Sequence, residues 1–156
     1  MRINTADLCD SLGDAAQVCT SNWRSYGGNP TVSGRVQTLR TYEDAALIRQ
    51  TLATPGLGRI LVVDGGASLR VAVLGDNMAR AGLANGWAGV IIEGAVRDVQ
   101  ILGSLDMGIF ALGQTPLRAG RTGWGELGVI LNIGGIRIRP GATITVDMDG
   151  AVVTEG

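Results

Sequence analysis

The chain has 156 residues, 46% of them apolar and 17% charged, with a net charge of −1. That suits a single globular domain spanning 1–156, excludes intrinsic disorder and gives no overall pull toward nucleic acid. No apolar stretch approaches the ~20 residues of a membrane span, and Met1-Arg2-Ile3-Asn4 lacks the apolar run of a signal peptide, so a cytoplasmic protein is expected.

In chain order, Thr5 to Asp10 reads as a short helix with Thr5 as N-cap and Gly13 as stop. Tyr26-Gly27-Gly28-Asn29-Pro30 is a turn cluster. Thr31 to Leu39 reads as a strand. Thr41-Tyr42-Glu43-Asp44 looks like a capping box for a helix through Ala45, Leu47, Ile48 and Leu52, ended by Pro55-Gly56. Arg59 to Val63 is a buried strand running into Asp64-Gly65-Gly66, and Leu69 to Val73 is a further strand. Asp76 opens a helix that Asn85-Gly86 stops. Ala88 to Ile92 is a second buried strand, followed by Gly94 to Asp98, a short helix to Leu102 and a strand over Ile109 to Leu112. The last third is β: Val129 to Ile133 and Ile136 to Ile138 around Gly134-Gly135, then Thr143 to Val146 and Ala151 to Val153. This order predicts a layered α/β sandwich with a mixed sheet, βαβ-like in the middle and antiparallel at the end.

Two absences narrow the chemistry. There is no His, which removes Ser-His-Asp and Cys-His machinery and every His-ligated metal site. There is no Lys either, since all 13 basic residues are Arg, so a lysine Schiff base is impossible. A metal site would rest on carboxylates, carbonyls and water, which suits magnesium or manganese. Cys9 and Cys19 match no CxxC pattern and read as two free or buried thiols.

The candidate constellation is Gly75-Asp76-Asn77-Met78 and, with twenty residues between Asp76 and it, Arg97-Asp98. The first group lies where a strand gives way to a helix, whose first N–H groups lack internal partners and favour a carboxylate. Arg97 follows a buried strand, and a guanidinium grips a carboxylate in a bidentate fork. Asp98 could hold a divalent cation directly or through water. Both loops would fall at one edge of the sheet, where ligands collect in open α/β folds. Structural roles compete: Asp76 as an N-cap, Asp98 as the cap of the next helix, Arg97 as a surface partner of Glu93 or Asp98.

Thr5 to Asp10, Tyr26-Gly27-Gly28, Leu61 to Gly66, Leu74 to Ala79 and Gly86 to Asp98 together resemble the RraA-like family, in order along nearly the whole chain. Gly134-Gly135 and Pro140-Gly141 also fit. That family includes 4-hydroxy-4-methyl-2-oxoglutarate aldolases, oxaloacetate decarboxylases, members once labelled demethylmenaquinone methyltransferases, and protein inhibitors of ribonuclease E. The resemblance implies an α/β/β/α sandwich like the swivelling phosphohistidine domains, and a homotrimer with sites near subunit interfaces. It implies a divalent-metal-dependent carbon–carbon lyase that releases pyruvate from a small 2-oxo acid through a metal-stabilised enolate. By similarity, Arg97 and the backbone of Gly75 to Met78 would bind the 2-oxo acid, Asp76, Arg97 and Asp98 would form the catalytic set, and Asp98 would hold magnesium or manganese. The alternative is a non-catalytic regulator that docks on ribonuclease E or an associated RNA helicase. One departure is Ile101, where many aldolase members carry an acidic residue; it counts against efficient cleavage of the long substrate but leaves the pyruvate-binding set untouched. The methyltransferase label finds no support, because no GxGxG-type loop follows Asp64-Gly65-Gly66 into a helix.

Overall fold

A computed structural model describes residues 4–155; the N-terminal reading on Met1, Arg2 and Ile3 lies outside them. The chain runs α1 (Thr5–Leu12), a 3-10 turn (Gly13–Ala15), β1 (Gln17–Cys19), β2 (Arg24–Ser25), β3 (Val32–Arg40), α2 (Ala46–Leu52), β4 (Ile60–Asp64) and β5 (Ala72–Leu74). It continues through α3 (Asp76–Ala84), β6 (Gly89–Val96), α4 (Val99–Leu102), β7 (Gly108–Gln114) and β8 (Glu126–Leu127). It ends with β9 (Leu131–Ile133), β10 (Ile136–Ile138), β11 (Thr143–Asp147) and β12 (Gly150–Thr154). No helix among the described residues is long and apolar enough to cross a membrane.

The central ladder has the order β1-β12-β11-β3-β4-β6-β7-β2. Strands β3, β4, β6 and β7 pair in parallel, whereas β1, β11 and β12 are antiparallel and β11 joins β3. The mixed sheet expected from the sequence is therefore present, and its two parts stack. Along β4, Leu61 and Val63 face one core with Ile48, Leu52, Met78 and Ala79 of α2 and α3. Ile60 and Val62 face a second core with Ile144, Val146, Ala151 and Val153 of β11 and β12. A parallel strand buried on both faces needs a continuous apolar run, which Ile60 to Val63 supplies. On the far side of β12, Val152 is buried and lines a shallow cleft with Thr5, Ala6 and Cys9 of α1. The layers are thus α1, the antiparallel strands, the parallel strands, then α2 and α3.

Several local expectations need correction. Asn4, not Thr5, caps α1: its Oδ1 accepts from the Asp7 amide at 2.8 Å. Thr5 is instead tied to β11, donating from its amide and hydroxyl to the Asp147 carboxylate. No capping box forms at Thr41 to Asp44. Helix α2 starts at Ala46, Thr41 donates to the Trp124 carbonyl, and the Asp44 side chain turns to a distant loop. The strand expected over Leu69 to Val73 is shorter and later, at Ala72–Leu74. Its predicted first half is drawn into a bend, where Arg70 makes a two-nitrogen ion pair with Glu43 and Ser68 donates to the same carboxylate. Cys9 and Cys19 are both free thiols, and Cys19 is buried.

Strand β6 changes partners along its length, and this positions the site. Its first half pairs with β4 from Gly89 to Glu93; its last residues, Ala95 and Val96, pair with β5. Because β5 and β6 are parallel neighbours, the β5–α3 turn and the β6–α4 turn emerge side by side at one sheet edge.

Candidate active site

The first turn of α3 and the end of β6 meet through backbone and side chain. The Arg97 amide donates to the Leu74 carbonyl at 3.0 Å, and the Asp76 amide donates to Asp98 Oδ2 at 3.0 Å. Asp98 therefore caps α3 across the turn. It makes no side-chain cap for α4, the helix it precedes, and Asp76 is the first residue of α3 with Gly75 as its N-cap. Asp98 thus stands at the N-cap position of α4 as anticipated, with its side chain turned to α3, whereas Asp76 is not the N-cap of α3.

The close approach depends on Gly75. A Cβ there would lie 2.8 Å from Asp98 Oδ2 and 3.4 Å from Arg97 Nε. Asp98 itself sits at φ 62° and ψ 38°, a left-handed conformation that Asp tolerates better than most residues yet still at a cost. Backbone strain of this kind concentrates where a side chain must be aimed.

Donors remain for a ligand. With the Asp76 amide satisfied by Asp98, the amides of Asn77 and Met78 have no acceptor among the described residues, as expected for a helix's first turn. Arg97 is half-buried and makes only a 3.5 Å contact to the Pro116 carbonyl. It forms no ion pair among the described residues. Glu93, its anticipated surface partner, instead accepts from Ser21 and from Trp23 Nε1 at 2.8 Å. Asp76 carries a 3.6 Å ion pair to Arg80, one turn along α3.

These groups line one open cavity of about 250 Å³. Gly75, Asp76, Asn77, Met78, Arg97 and Asp98 all border it, so every predicted site residue is brought together. Ile101 is not among the lining residues; it lies on α4, partly exposed. The cavity also takes in Arg49 and Gln50 of α2, and Arg118 and Arg121 of the segment after β7, none of which the sequence singled out. A signal was available: residues 113–125 hold two Arg and no acid.

That segment is held by Asp44, which is 3% exposed. Its Oδ2 accepts from the Thr122 amide and hydroxyl, both at 2.6 Å, and its Oδ1 from the Gly123 and Ala46 amides, both at 3.1 Å. Burial pushes this carboxyl up, but the four hydrogen bonds outweigh it and hold it below the ordinary carboxylate value. Backbone bonds from Ala45 to Gly120, from Gly120 to Glu43 and from Ala119 to Ala72 complete the attachment. Next to it, the Arg70 and Ser68 hydrogen bonds hold Glu43 down at about 2.

The fit to a divalent cation can be judged on the donor set. No three His, Cys, Asp or Glu side chains cluster to hold a metal among the described residues. Asp98 is exposed to the cavity and commits Oδ2 to the Asp76 amide; no hydrogen bond among the described residues engages Oδ1. One carboxylate with room for water and ligand oxygens fits magnesium, which keeps several waters and takes one or two carboxylates.

Unpaired helix amides and a guanidinium thus face a strand-end cavity in an open α/β sheet, a set of donors whose chemistry suits an anionic group. The chain belongs to the RraA-like family: the Aldolase/RraA family model matches residues 5–153. It is 43% identical over 155 residues to a protein of Aromatoleum aromaticum named "Putative 4-hydroxy-4-methyl-2-oxoglutarate aldolase", covering 99% of this chain and 98% of that one. A solved structure named as the RNA-processing inhibitor RraA from Thermus thermophilis superposes with a TM-score of 0.95 at 41% identity, covering 99% of this chain and 93% of that one. A Geobacillus kaustophilus structure named as an S-adenosylmethionine: 2-dimethylmenaquinone methyltransferase matches with a TM-score of 0.96 at 43% identity, covering 98% and 95%.

Proposed function

We propose that this chain is a divalent-cation-dependent lyase that cleaves a carbon–carbon bond of small 2-oxo acids and releases pyruvate. Oxaloacetate decarboxylation and cleavage of 4-hydroxy-4-methyl-2-oxoglutarate are the reactions the site would serve. The observation that carries this reading is the convergence of the unpaired Asn77 and Met78 amides, the ion-pair-free Arg97 and the Asp98 carboxylate on one small cavity. The 43% identity to the Aromatoleum protein supports it.

The substrate's carboxylate would lie against the α3 amides and the Arg97 guanidinium, which together neutralise it and fix its orientation. Asp98 would hold magnesium or manganese, and the bound cation would supply Lewis acidity toward the ketone oxygen. Negative charge that develops on that oxygen as the bond breaks faces Arg97, a cation already in place. Decarboxylation needs no general base from the protein. Aldol cleavage also requires removal of the 4-hydroxyl proton; with no His or Lys in the chain, a carboxylate or water must take it.

The deciding measurement is pyruvate release from oxaloacetate, above the spontaneous rate at the same magnesium concentration, with and without a chelator. Enzyme-dependent release that the chelator abolishes supports the reading; release no faster than the spontaneous rate sinks it. The likeness to the Thermus inhibitor favours a second reading, docking on a ribonuclease of the E type or its helicase partner. Co-purification with that ribonuclease would test it, and the two roles are compatible.

A further inference from the structure

We infer that Arg49, Arg118 and Arg121 form a second carboxylate subsite, which takes the distal carboxylate of a dicarboxylic 2-oxo acid whose keto-acid end is held by Arg97. The inference rests on the proposed function for the keto-acid end, and it assigns the opposite end of the same cavity.

The chain is slightly acidic overall, yet four of its 13 arginines border one cavity of about 250 Å³, against two aspartates. Of those aspartates Asp76 is paired with Arg80, and Asp98, whose Oδ2 accepts from the Asp76 amide, lies at the keto-acid end, where the proposed function gives it the cation. Exposed arginines are commonly just a solvated surface. Arg40, Arg70, Arg80 and Arg139 find carboxylates; Arg49, Arg118 and Arg121, like Arg24, Arg35, Arg59 and Arg137, have no ion pair among the described residues, but only the first three share a cavity with the equally unpaired Arg97. Like charges gathered without counter-charges repel one another, and an anionic ligand relieves that repulsion.

Their placement is also specific. Arg118 bridges to Ala72 at the start of β5, whereas the keto-acid end lies at Gly75, just past the end of that strand. Three residues of strand separate the two backbones by roughly 10 Å. A guanidinium on its long stem closes part of that span and leaves the length of a short diacid. Arg49 approaches from α2, so the three cations come from two elements. The loop carrying Arg118 and Arg121 is fixed by the buried Asp44 and by backbone bonds to Glu43, Ala45 and Ala72, so its arginines are presented from a stationary support. Such support limits the ordering cost that a loose loop would impose on binding.

The test is calorimetric titration of the full-length protein with magnesium at low ionic strength, because exposed guanidinium groups are screened by salt. The probes are pyruvate, which fills only the keto-acid end, and 2-oxoglutarate, which adds a distal carboxylate and carries no 4-hydroxyl. Wild type is expected to bind 2-oxoglutarate at least about tenfold more tightly than pyruvate, the lower end for one charge-assisted hydrogen bond. Arg118→Gln, Arg121→Gln and, on a different element, Arg49→Gln should each shrink that ratio while pyruvate affinity moves less than about twofold. Asp44→Asn, which retains every arginine but loosens the loop, should shrink it too. Thermal melts identify any variant that fails to fold, and the remaining ones still give the ratio. An unchanged ratio, or equal loss for both ligands, overturns the subsite and leaves the keto-acid reading standing. If wild type binds neither ligand, that reading falls and the subsite with it.

Discussion

Gly75→Ala isolates the geometry of the site from the stability of the fold. The backbone at Gly75 (φ −131°, ψ −171°) is extended and open to any residue, so alanine adds no strain of its own. Its methyl would stand 2.8 Å from Asp98 Oδ2, where carbon and oxygen ordinarily keep about 3.4 Å, so the carboxylate must retreat by about 0.6 Å. That retreat weakens the Asp98 bond to the Asp76 amide, a cap with a typical contribution of ~1 kcal/mol. Replacing glycine by alanine at a compatible position restores ~0.4–1 kcal/mol by narrowing the unfolded ensemble. The two effects nearly cancel, and in a chain of this size 1 kcal/mol moves Tm by only ~2–4 °C. Activity has no such compensation: a displacement near 1 Å at a reacting constellation costs on the order of 10²-fold. The expected result is a Tm within ~3 °C of wild type and kcat/KM for oxaloacetate lowered by ten- to a hundredfold, roughly, with weaker magnesium dependence. Full activity at limiting magnesium, with the alanine confirmed in place, would refute the role given to Asp98 and Arg97.

The other expectations follow from the same contacts. Asp98→Ala should abolish magnesium-dependent pyruvate release and lower stability by only ~1 kcal/mol, the cap it provides; a folded variant with wild-type turnover would remove Asp98 from cation binding. Arg97→Lys should lower kcat/KM by roughly one to two decades, since the planar fork is lost while the charge stays, and Arg97→Ala should lower it further; a flat series in steady-state kinetics would take Arg97 out of the site. Asp44 has a depressed folded-state pKa, so its contribution to stability is present above the ordinary carboxylate value of 3.8 and is lost as pH falls through the folded value. Denaturant melts across that acid range should therefore slope less steeply for Asp44→Asn than for wild type, and parallel curves would contradict the hydrogen-bond account. Light scattering at micromolar concentration should give a trimer mass, with the exposed Trp124, Leu127 and Ile130 covered between subunits; a monomer mass would exclude this assembly.

Much of the frame could be read from sequence because its signals are local. Helix α3 begins at Asp76 and ends before Asn85-Gly86 as its pattern predicts, and the apolar run Ile60 to Val63 declares a strand buried on both sides. Strands β1, β2 and β8 were not anticipated, since segments of two or three residues, those of β2 and β8 wholly exposed, carry no periodicity. The site divides in the same way. Gly75 to Met78 and Arg97-Asp98 follow strands and could be placed at one edge by counting. Arg49 reaches the cavity from α2, and Arg118 and Arg121 reach it on a loop held by Asp44, which bonds Thr122 at a separation of 78 residues. From sequence Asp44 looks like part of a helix cap, because a short acidic side chain before a helix suits that role and nothing local reveals a partner so far along the chain.

The two apolar cores share their central strands, and this bears on how the molecule comes apart. Leu61 and Val63 belong to one core while Ile60 and Val62, on the same five-residue strand, belong to the other; Ile91 stands against Val90 and Ile92 in the same way on β6. Neither core can melt alone without presenting a bare apolar face of β4 and β6 to water, at roughly 25 cal/mol for each Å² exposed. The layers are therefore bound into one cooperative unit, and denaturant unfolding followed by the buried Trp87 should coincide with unfolding followed by backbone dichroism.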